Sequence, residues 1–360
     1  MTKPNRVTKL AVCLAIVATA MVAVPTSADA ARAQAKSKTA AKSASAKATP
    51  ARSTPRKKAY SSTTARARRA QLARARAAAA ARTMREVQTP RFRVDEFGRE
   101  VPDVRAEAAI IYNPTTGEVL WESHAQDQRS MASITKVMTA LVFLESGAPM
   151  DAPVTVQRSD VSRASTTYLR TGFKLTADDL LNLLLVGSDN AAARALARIS
   201  PYGADGFITK MNEKAAALGL VNTRYADPSG LLAENVSSAY DLARLIAHAS
   251  ADERVGGIMR KQTYTTQAGR QTITARSTNQ IVRSGDIDVV GGKTGFISRS
   301  GYCLATLLRL PQSGQQVAVV VLGAKSNASR FWETRHLFNW MSTRTKAILD
   351  GDAQHQQEQN

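Results

Sequence analysis

Runs of hydrophobic residues beyond residue 90 predict strands first, then helices, then strands again and a final helix. Apolar runs at 106–113 and 118–123 flank a Pro-Thr-Thr-Gly turn, which indicates a β-hairpin. The segment 134–146 is hydrophobic on nearly all sides, as in a helix buried in a core. Further helices are predicted at 176–186, 191–199, 204–218, 238–249 and 330–348, and further strands at 289–292, 302–309 and 317–322. This order favours an α+β fold in which an antiparallel sheet, joining the first and last strands, is covered by helices and accompanied by a helical lobe.

The first thirty residues have the layout of a secretory signal peptide. Three basic residues precede an uncharged, largely apolar run at 10–24, and Ala28-Asp29-Ala30 fits a cleavage site with small residues. The run is short for a membrane span, which favours cleavage over an uncleaved anchor. We therefore expect an exported protein, periplasmic and either soluble or peripherally associated with wall or membrane, from which residues 1–30 are removed.

The positive charge of the chain is concentrated near its start. The 360 residues have a formal net charge of +20, of which residues 1–90 carry +17 and residues 91–360 carry +3. Residues 31–90 are mostly Ala, Ser, Thr, Lys and Arg with one acid, which predicts a disordered basic arm with high helix propensity only at 66–86. Such an arm can bind an anionic wall polymer or a membrane surface, or act as a spacer. Nucleic acid is not expected as a partner, because export separates the chain from DNA and no aromatic side chains interleave the charges.

Ser133 and Lys136 stand three residues apart where the predicted buried helix begins, so their side chains share one face. A serine hydroxyl becomes an effective nucleophile when a neighbouring base removes its proton. A lysine amine can be that base if burial and nearby cations lower its pKa. The pair alone is weak evidence, because the S-x-x-K pattern also fits a helix cap followed by a surface lysine.

Two further motifs follow in chain order. Ser188-Asp189-Asn190 lies between two predicted helices, where such residues are usually caps. Lys293-Thr294-Gly295, followed by Phe296, offers a cation, a hydroxyl and a glycine that lets a substrate backbone approach a strand edge, although a turn is the alternative. The patterns S-x-x-K, S-D-N and K-T-G in this order are those of class A β-lactamases and penicillin-binding proteins.

With these motifs, residues 105–345 resemble the low-molecular-mass penicillin-binding proteins of the D-Ala-D-Ala carboxypeptidase/endopeptidase family. The resemblance is greatest to the endopeptidases of the penicillin-binding protein 7 type. It extends to the contexts MASITKVMTALVFLE, LLLVGSDNAAARALA, YADPSGLLAENVSSAYDLARL and GGKTGFISRSGYCLA. It implies a β-lactamase/transpeptidase-like fold whose active site lies between the sheet and the helical lobe.

The resemblance also implies a catalytic role for each motif. Ser133 would attack the penultimate D-Ala carbonyl with Lys136 as base, and Ser188 would relay a proton to the leaving amine. Asn190, Lys293 and Thr294 would hold the substrate, Gly295 would let its backbone approach, and the oxyanion would lie between the backbone N–H groups of Ser133 and Phe296. The substrates would be peptidoglycan stem peptides, and β-lactams would be acylating inhibitors.

Two features favour a cross-link-cleaving endopeptidase over a carboxypeptidase. Where related carboxypeptidases use an arginine for the terminal carboxylate, this chain has Lys325, which we expect near the substrate as a weaker point charge. The second feature is the expected domain organisation, in which a peptidase domain at 91–350 is followed by a polar tail at 351–360. Many related carboxypeptidases have a second domain instead. A β-lactamase is less favoured, because Ser238 and not Asn stands four residues after Glu234. A penicillin-binding sensor or wall-binding protein without turnover is a further alternative function.

No cofactor and no metal site are expected. The chain has four histidines and two cysteines, and none has the spacing of a metal site or a catalytic triad. Cys13 falls in the signal peptide, and Cys303 lies in a predicted strand. We expect Cys303 to be a small buried side chain and not a reactive thiol.

Overall fold

The computed structural model describes residues 62–358, which form thirteen strands, ten α-helices and one 3-10 helix. The strands are β1 (Phe92–Val94), β2 (Glu100–Pro102), β3 (Ala108–Tyr112), β4 (Val119–Ser123), β5 (Arg129–Ser130), β6 (Pro153–Thr155), β7 (Lys174–Thr176), β8 (Val236–Ser237), β9 (Thr263–Ala268), β10 (Gln271–Arg276), β11 (Val289–Ile297), β12 (Gly301–Arg309) and β13 (Gln316–Ala324). The α-helices are α1 (Ser62–Gln88), α2 (Lys136–Glu145), α3 (Arg158–Val161), α4 (Ala177–Val186), α5 (Asn190–Ile199), α6 (Gly203–Ala217), α7 (Ala239–Ala251), α8 (Glu253–Met259), α9 (Gln280–Ser284) and α10 (Asn327–Glu358). The 3-10 helix at Ala132–Thr135 leads directly into α2.

A five-stranded antiparallel sheet in the order β11-β12-β13-β3-β4 forms the centre of the fold. The first hairpin, β3–β4, joins the last strand, and Val320 of β13 pairs with Ile110 of β3. The predicted α+β fold with an antiparallel sheet joining first and last strands is therefore confirmed. Strand β11 lies at one edge, so one side of its backbone is available to other groups.

Both faces of the sheet are covered by helices. Ile110 and Val320 belong to the core on the side of α7, whereas their neighbours Ile111 and Val319 belong to the core on the side of α10. Successive residues of a strand point to opposite faces, so a strand between two cores needs apolar residues at every position. This explains why the central strands appear in the sequence as unbroken apolar runs.

The helical lobe is built around α2, which contacts α4, α5 and α6. Eight of its ten residues are buried, as the all-round hydrophobic pattern predicted. Helix α4 starts after Thr176, whose hydroxyl accepts a hydrogen bond from the backbone N–H of Asp179 at 3.1 Å. This cap confirms the predicted start of that helix.

Several elements differ from the sequence-based expectation. The hairpin β9–β10 was not predicted, because its Thr- and Gln-rich strands are largely exposed and lack an apolar run. Strand β11 continues to Ile297, so Lys293-Thr294-Gly295 lies within a strand and not in a turn. Helix α10 extends beyond the predicted 330–348 and reaches into the polar tail.

The described part of the basic arm forms helix α1. Its side chains from 65 to 86 are all exposed, so the helix buries little apolar surface. The predicted signal peptide with Cys13, and the arm up to residue 61, lie outside the described residues. Between residues 62 and 358, none of the helices combines the length and hydrophobicity needed to cross a membrane.

The loop that follows Asp227 packs against the 3-10 helix through Gly230. This residue has φ of +77°, and a Cβ added there would stand 2.1 Å from the carbonyl oxygen of Ala132. Only glycine tolerates both the left-handed backbone and this approach.

We predict that Gly230→Ala strongly lowers the free energy of unfolding. The left-handed backbone costs an alanine roughly 1–2 kcal/mol, and the forced separation of loop and helix adds about 1–3 kcal/mol. Gly98→Ala is the matched control, because Gly98 has φ of +76° and open space around it, so only the backbone cost applies. Denaturant unfolding of both variants tests this, and equal losses would show that the packing contact is unimportant.

Candidate active site

The three motifs meet at a cavity of about 520 Å³ between the edge strand β11 and the helical lobe. Ser133 lines it from the 3-10 helix, and Ser188 and Asn190 line it from the junction of α4 and α5. Thr294-Gly295-Phe296 forms the wall on β11. Residues that are more than a hundred positions apart in sequence therefore surround one space, as the resemblance implied.

Ser133 is held close to β11 by the local backbone. The residue before it, Ala132, has φ of +49°, a left-handed conformation that is uncommon for a non-glycine residue and typical of functional sites. A Cβ on Gly295 would stand 2.6 Å from the carbonyl oxygen of Met131 and 3.2 Å from the backbone nitrogen of Ser133. The absence of a side chain at Gly295 is what lets the strand lie against the serine.

Lys136 is fully buried and its Nζ reaches three oxygen atoms. It lies 2.9 Å from Oγ of Ser133 and 2.6 Å from Oδ1 of Asn190, and it also contacts the carbonyl oxygen of Ser229. Two of these partners, the amide and the carbonyl oxygen, can only accept hydrogen bonds. A neutral amine would satisfy both with its two N–H groups, and its lone pair would then face the Ser133 hydroxyl.

Burial lowers the pKa of Lys136 to about 7. Asp227 and Asp189 oppose this shift and Arg194 adds to it, but desolvation is the largest cause. Near neutral pH the amine is thus deprotonated in a large fraction of molecules, as a base for the Ser133 proton requires.

Asp227 organises the loop that presents the Ser229 carbonyl to Lys136. Its carboxylate accepts hydrogen bonds from the backbone N–H groups of Ser229, Gly230 and Leu232, and from Nδ2 of Asn235. Burial opposes the charge, but these hydrogen bonds outweigh it and keep the pKa of Asp227 below its usual value. This segment was predicted only to resemble the family, and no role was predicted for Asp227. The run of small residues after Asp227 is the signal that could have indicated a tight turn around a carboxylate.

The middle motif combines a helix cap with two site residues. Asp189 caps α5 by accepting from the backbone N–H of Ala192 at 2.9 Å, in agreement with the expected capping role. It also accepts from the backbone N–H of Tyr168 at 2.6 Å, and burial nevertheless raises its pKa. Capping fixes the start of α5, and so Asn190, the first residue of the helix, is directed towards Lys136.

Lys293 extends from β11 beneath the cavity to Ser188. Its Nζ donates to Oγ of Ser188 at 2.8 Å and to the carbonyl oxygen of Thr294 at 2.8 Å. Burial, together with the positive charges of Lys136 and Arg330, lowers its pKa well below the usual value. Ser188 has φ of +59°, so a second strained residue stands opposite Ser133.

Thr294 and Phe296 form the more accessible part of the strand wall. The hydroxyl of Thr294 donates to Oγ1 of Thr278 at 2.6 Å. Phe296 is half exposed and stacks on Tyr302 with 4.2 Å between the ring centroids. Its exposed face makes it an apolar wall for a bound molecule.

Arg330 is the cation on the cavity wall, and the sequence analysis missed it. Its Nη1 donates to the carbonyl oxygens of Gly295 at 2.9 Å and Cys303 at 3.1 Å. Because C=O and N–H of a trans peptide point in opposite directions, this contact directs the N–H of Phe296 away from Arg330. Its position in the first turn of α10, five residues after Lys325, carried no motif that could have marked it.

Lys325 is the predicted site residue that lies apart from this cavity, whereas Lys136 and Lys293 do not line it but contact Ser133 and Ser188, which do. Its side chain is exposed and its ammonium pairs with the carboxylate of Glu107. The cation that lines the space around Ser133 therefore comes from α10 and not from the strand exit.

The described residues contain no cluster of three His, Cys, Asp or Glu side chains that could hold a metal ion. Cys303 is free and fully buried in β12, and burial raises the pKa of its thiol. The prediction of a small buried side chain is confirmed.

Comparison with known proteins agrees with this geometry. Residues 95–326 match the D-alanyl-D-alanine carboxypeptidase family. The chain is 32% identical over 246 residues to a D-alanyl-D-alanine endopeptidase of Escherichia coli, covering 67% of this chain and 79% of that one. It is 36% identical over 228 residues to a D-alanyl-D-alanine endopeptidase of Haemophilus influenzae, covering 62% and 78%. A solved Streptomyces DD-transpeptidase is 29% identical and superimposes with a TM-score of 0.62 over 66% of this chain and 97% of that one. The chain therefore belongs to the D-alanyl-D-alanine carboxypeptidase family of serine DD-peptidases.

Proposed function

We propose that this protein cleaves D-alanyl bonds of peptidoglycan stem peptides through an acyl-serine intermediate. The observation that carries the proposal is Lys136, whose Nζ lies 2.9 Å from Oγ of Ser133 while its other two contacts are pure acceptors. Ser133 has no other described base in hydrogen-bond contact. The substrate class comes from the family and from the named relatives.

In the proposed acylation step, the proton of the Ser133 hydroxyl passes to Nζ of Lys136. Oγ then forms a bond to the penultimate D-Ala carbonyl carbon, and the oxyanion is held by the backbone N–H groups of Ser133 and Phe296. The C–N bond breaks as Nζ of Lys136 gives up this proton, which reaches the leaving nitrogen through the hydroxyl of Ser188, so the amine is neutral again. Water then attacks the ester carbonyl while Lys136 takes its proton, and the bond between the carbonyl carbon and Oγ breaks as that proton returns to Ser133, which releases the acid.

Substrate binding is assigned to the groups around this pair. Asn190 would hold the substrate amide while it positions Lys136. Lys293, Thr294 and Gly295 form the anchoring strand edge, and Phe296 adds an apolar wall. Lys325 would act only outside the cavity, because it is paired with Glu107.

We propose an endopeptidase that cuts peptide cross-links. This rests on the named endopeptidases, of which the chain covers 78–79%, and on the missing Lys325 ammonium at the cavity. The alternative is a D-Ala-D-Ala carboxypeptidase, which Arg330 favours as a guanidinium on the cavity wall, although Gly295, Cys303 and Asn327 already accept three hydrogen bonds from its Nη1 and Nη2.

Slow release of penicillin is proposed in place of its hydrolysis. The described lining of the Ser133 cavity contains no carboxylate that could activate a deacylating water, and Glu234 lines a different cavity. A penicillin-binding sensor without turnover shares these features, so only product formation separates the two functions.

The protein is proposed to act after export to the periplasm, directed by residues 1–30. The arm at 31–90 would hold it at an anionic wall polymer or membrane surface. This is supported by α1, which exposes seven arginines and a single acid.

We predict that penicillin acylation follows the neutral form of Lys136. Since its pKa is lowered to about 7, the rate should fall about tenfold per pH unit below 7 and become constant above it. Lys136→Arg, which cannot give up its proton, should lose at least about a hundredfold in rate. Stopped-flow acylation across pH measures both.

Three controls accompany the pH profile. Ser133→Ala should show no adduct by intact mass, whereas Ser298→Ala, at another serine of the same cavity, should keep it. Lys210→Arg, at an exposed lysine, should acylate normally. A pH-independent rate, or normal acylation by Lys136→Arg, would contradict the base role.

We predict faster cleavage of a cross-linked muropeptide dimer than release of D-Ala from a monomeric pentapeptide. The measurement is product analysis by chromatography and mass spectrometry under multiple turnover. Lys325→Arg should leave the ratio within about twofold, because the side chain pairs outside the cavity. Preferred D-Ala release would establish the carboxypeptidase, and a single stoichiometric adduct without product would establish the sensor.

We predict that the basic arm governs location and not chemistry. A protein starting at residue 91 should acylate at the same rate but bind anionic vesicles or isolated wall polymer less. Binding by the mature protein should weaken as salt is added. A full-length protein with glutamine at the α1 arginines should behave like the shortened one; these are Arg66, Arg68, Arg69, Arg74, Arg76, Arg82 and Arg85. If all three proteins bind equally and added salt has no effect, the arm acts only as a spacer.

A further inference from the structure

A second cavity, of about 620 Å³, lies beside the one that contains Ser133. Its walls are β5 with the residue before it, the loop that ends in β8, and the turn between β11 and β12. Arg129 and Ser130 contribute from β5, Glu234 from the loop, and Arg299 from the turn.

The two cavities are lined by residues that are one or two positions apart in the same two segments. Leu231 lines the Ser133 cavity, and Ala233 and Glu234 line the second. Likewise, Ser298 lines the first and Arg299 the second. Because neighbouring Cα atoms are only about 3.8 Å apart, the two spaces adjoin and form one groove that leads away from Ser133.

The far part of this groove has positive side chains with few partners. Arg299 is exposed and makes no ion pair with any described residue. Arg129 approaches Glu107 at 3.8 Å, but that carboxylate is already bound to Lys325. Glu234 is the one acid on the wall, so the two arginines outnumber it.

Ser130 is a second, independent sign of a missing partner. Its Oγ is buried and has no hydrogen-bond partner within the described part of the chain. Buried hydroxyls are nearly always hydrogen-bonded, so this one lacks a partner that a rotation of the Ser130 side chain towards the groove would supply. A carboxylate in the groove would accept from the arginines and, after that rotation, from this hydroxyl.

We propose that this Arg129–Arg299 groove binds a carboxylate of the substrate's stem peptide, several residues from the scissile D-alanyl bond. The proposal rests on the proposed function and adds a subsite to it. A peptide lying along the edge of β11 and the turn after it, from Gly295 to Arg299, spans four residues, up to about 13 Å, so a dipeptide-sized ligand does not reach the arginines. Penicillin, which is also small, is held without them.

The test compares two synthetic stem pentapeptides that end in D-Ala-D-Ala, one with free side carboxylates and one with those carboxylates amidated. Arg299→Gln and Arg129→Gln should each raise KM for the carboxylate peptide about fivefold, as expected for one exposed charge pair. They should leave kcat, the amidated peptide and penicillin acylation unchanged. Glu234→Gln should act in the opposite direction and lower KM for the carboxylate peptide.

Arg270→Gln is the matched control. It removes the same charge from the exposed tip of the β9–β10 hairpin, which does not line either cavity, and should have no effect on KM. Thermal unfolding of each variant shows whether the fold is retained. Equal KM increases for both peptides, or none, would overturn the groove assignment.

A binding measurement separates this proposal from the proposed function. Ser133→Ala cannot cleave, so calorimetry with it measures affinity for the carboxylate peptide directly. If the wild type cleaves no stem peptide, yet this affinity falls with Arg299→Gln and with salt, the groove stands and the peptidase does not. If cleavage occurs and the affinity is insensitive to Arg299, Arg129 and salt, the peptidase stands and the groove does not.

Discussion

The site depends on how a buried lysine is kept in the core of the helical lobe. An ammonium without partners is very costly to bury, so Lys136 is stable there only with its oxygen partners or as a neutral amine. The structure supplies both conditions, because Asn190 and Ser229 accept from Nζ and desolvation lowers the pKa to about 7. A stable core and a reactive serine therefore both require a neutral Lys136 amine with two oxygen acceptors. The lone pair of that amine then faces the Ser133 hydroxyl.

Two separate parts of the fold place the oxygen partners of Lys136. Asp189 fixes the first turn of α5 and so directs Asn190, while Asp227 folds the loop that directs the Ser229 carbonyl. Neither carboxylate lines the cavity, and each accepts hydrogen bonds from backbone N–H groups. They position the partners of Lys136 and also moderate its pKa shift through their charge.

The sheet edge can approach Ser133 because glycine, which has no side chain, stands at two positions of close backbone contact. Gly295 stands against the backbone of Met131 and Ser133, and Gly230 stands against Ala132 from the other side. Arg330 then fixes the orientation of the peptide that follows Gly295 from behind the sheet. The 3-10 helix is held between strand and loop, which explains how the strained backbone at Ala132 is maintained.

Much of this protein could be predicted from sequence, because its signals are local or come from short motifs. The all-round apolar pattern of α2 and the apolar runs of β3, β12 and β13 predicted buried elements, and Thr176 predicted a helix start. The order of the elements predicted the sheet, and the three motifs predicted which residues lie around the cavity. The exposed hairpin β9–β10 was missed because its strands bury little apolar surface.

Only the tertiary structure decided that Lys325 turns to Glu107 while Arg330 joins the cavity, since both are single basic residues without a pattern. It also decided which acceptors surround Lys136, because the Asn190 amide and the Ser229 carbonyl come from segments 54 and 93 residues away, respectively. Such contacts are set by packing between distant segments, which no local sequence pattern encodes.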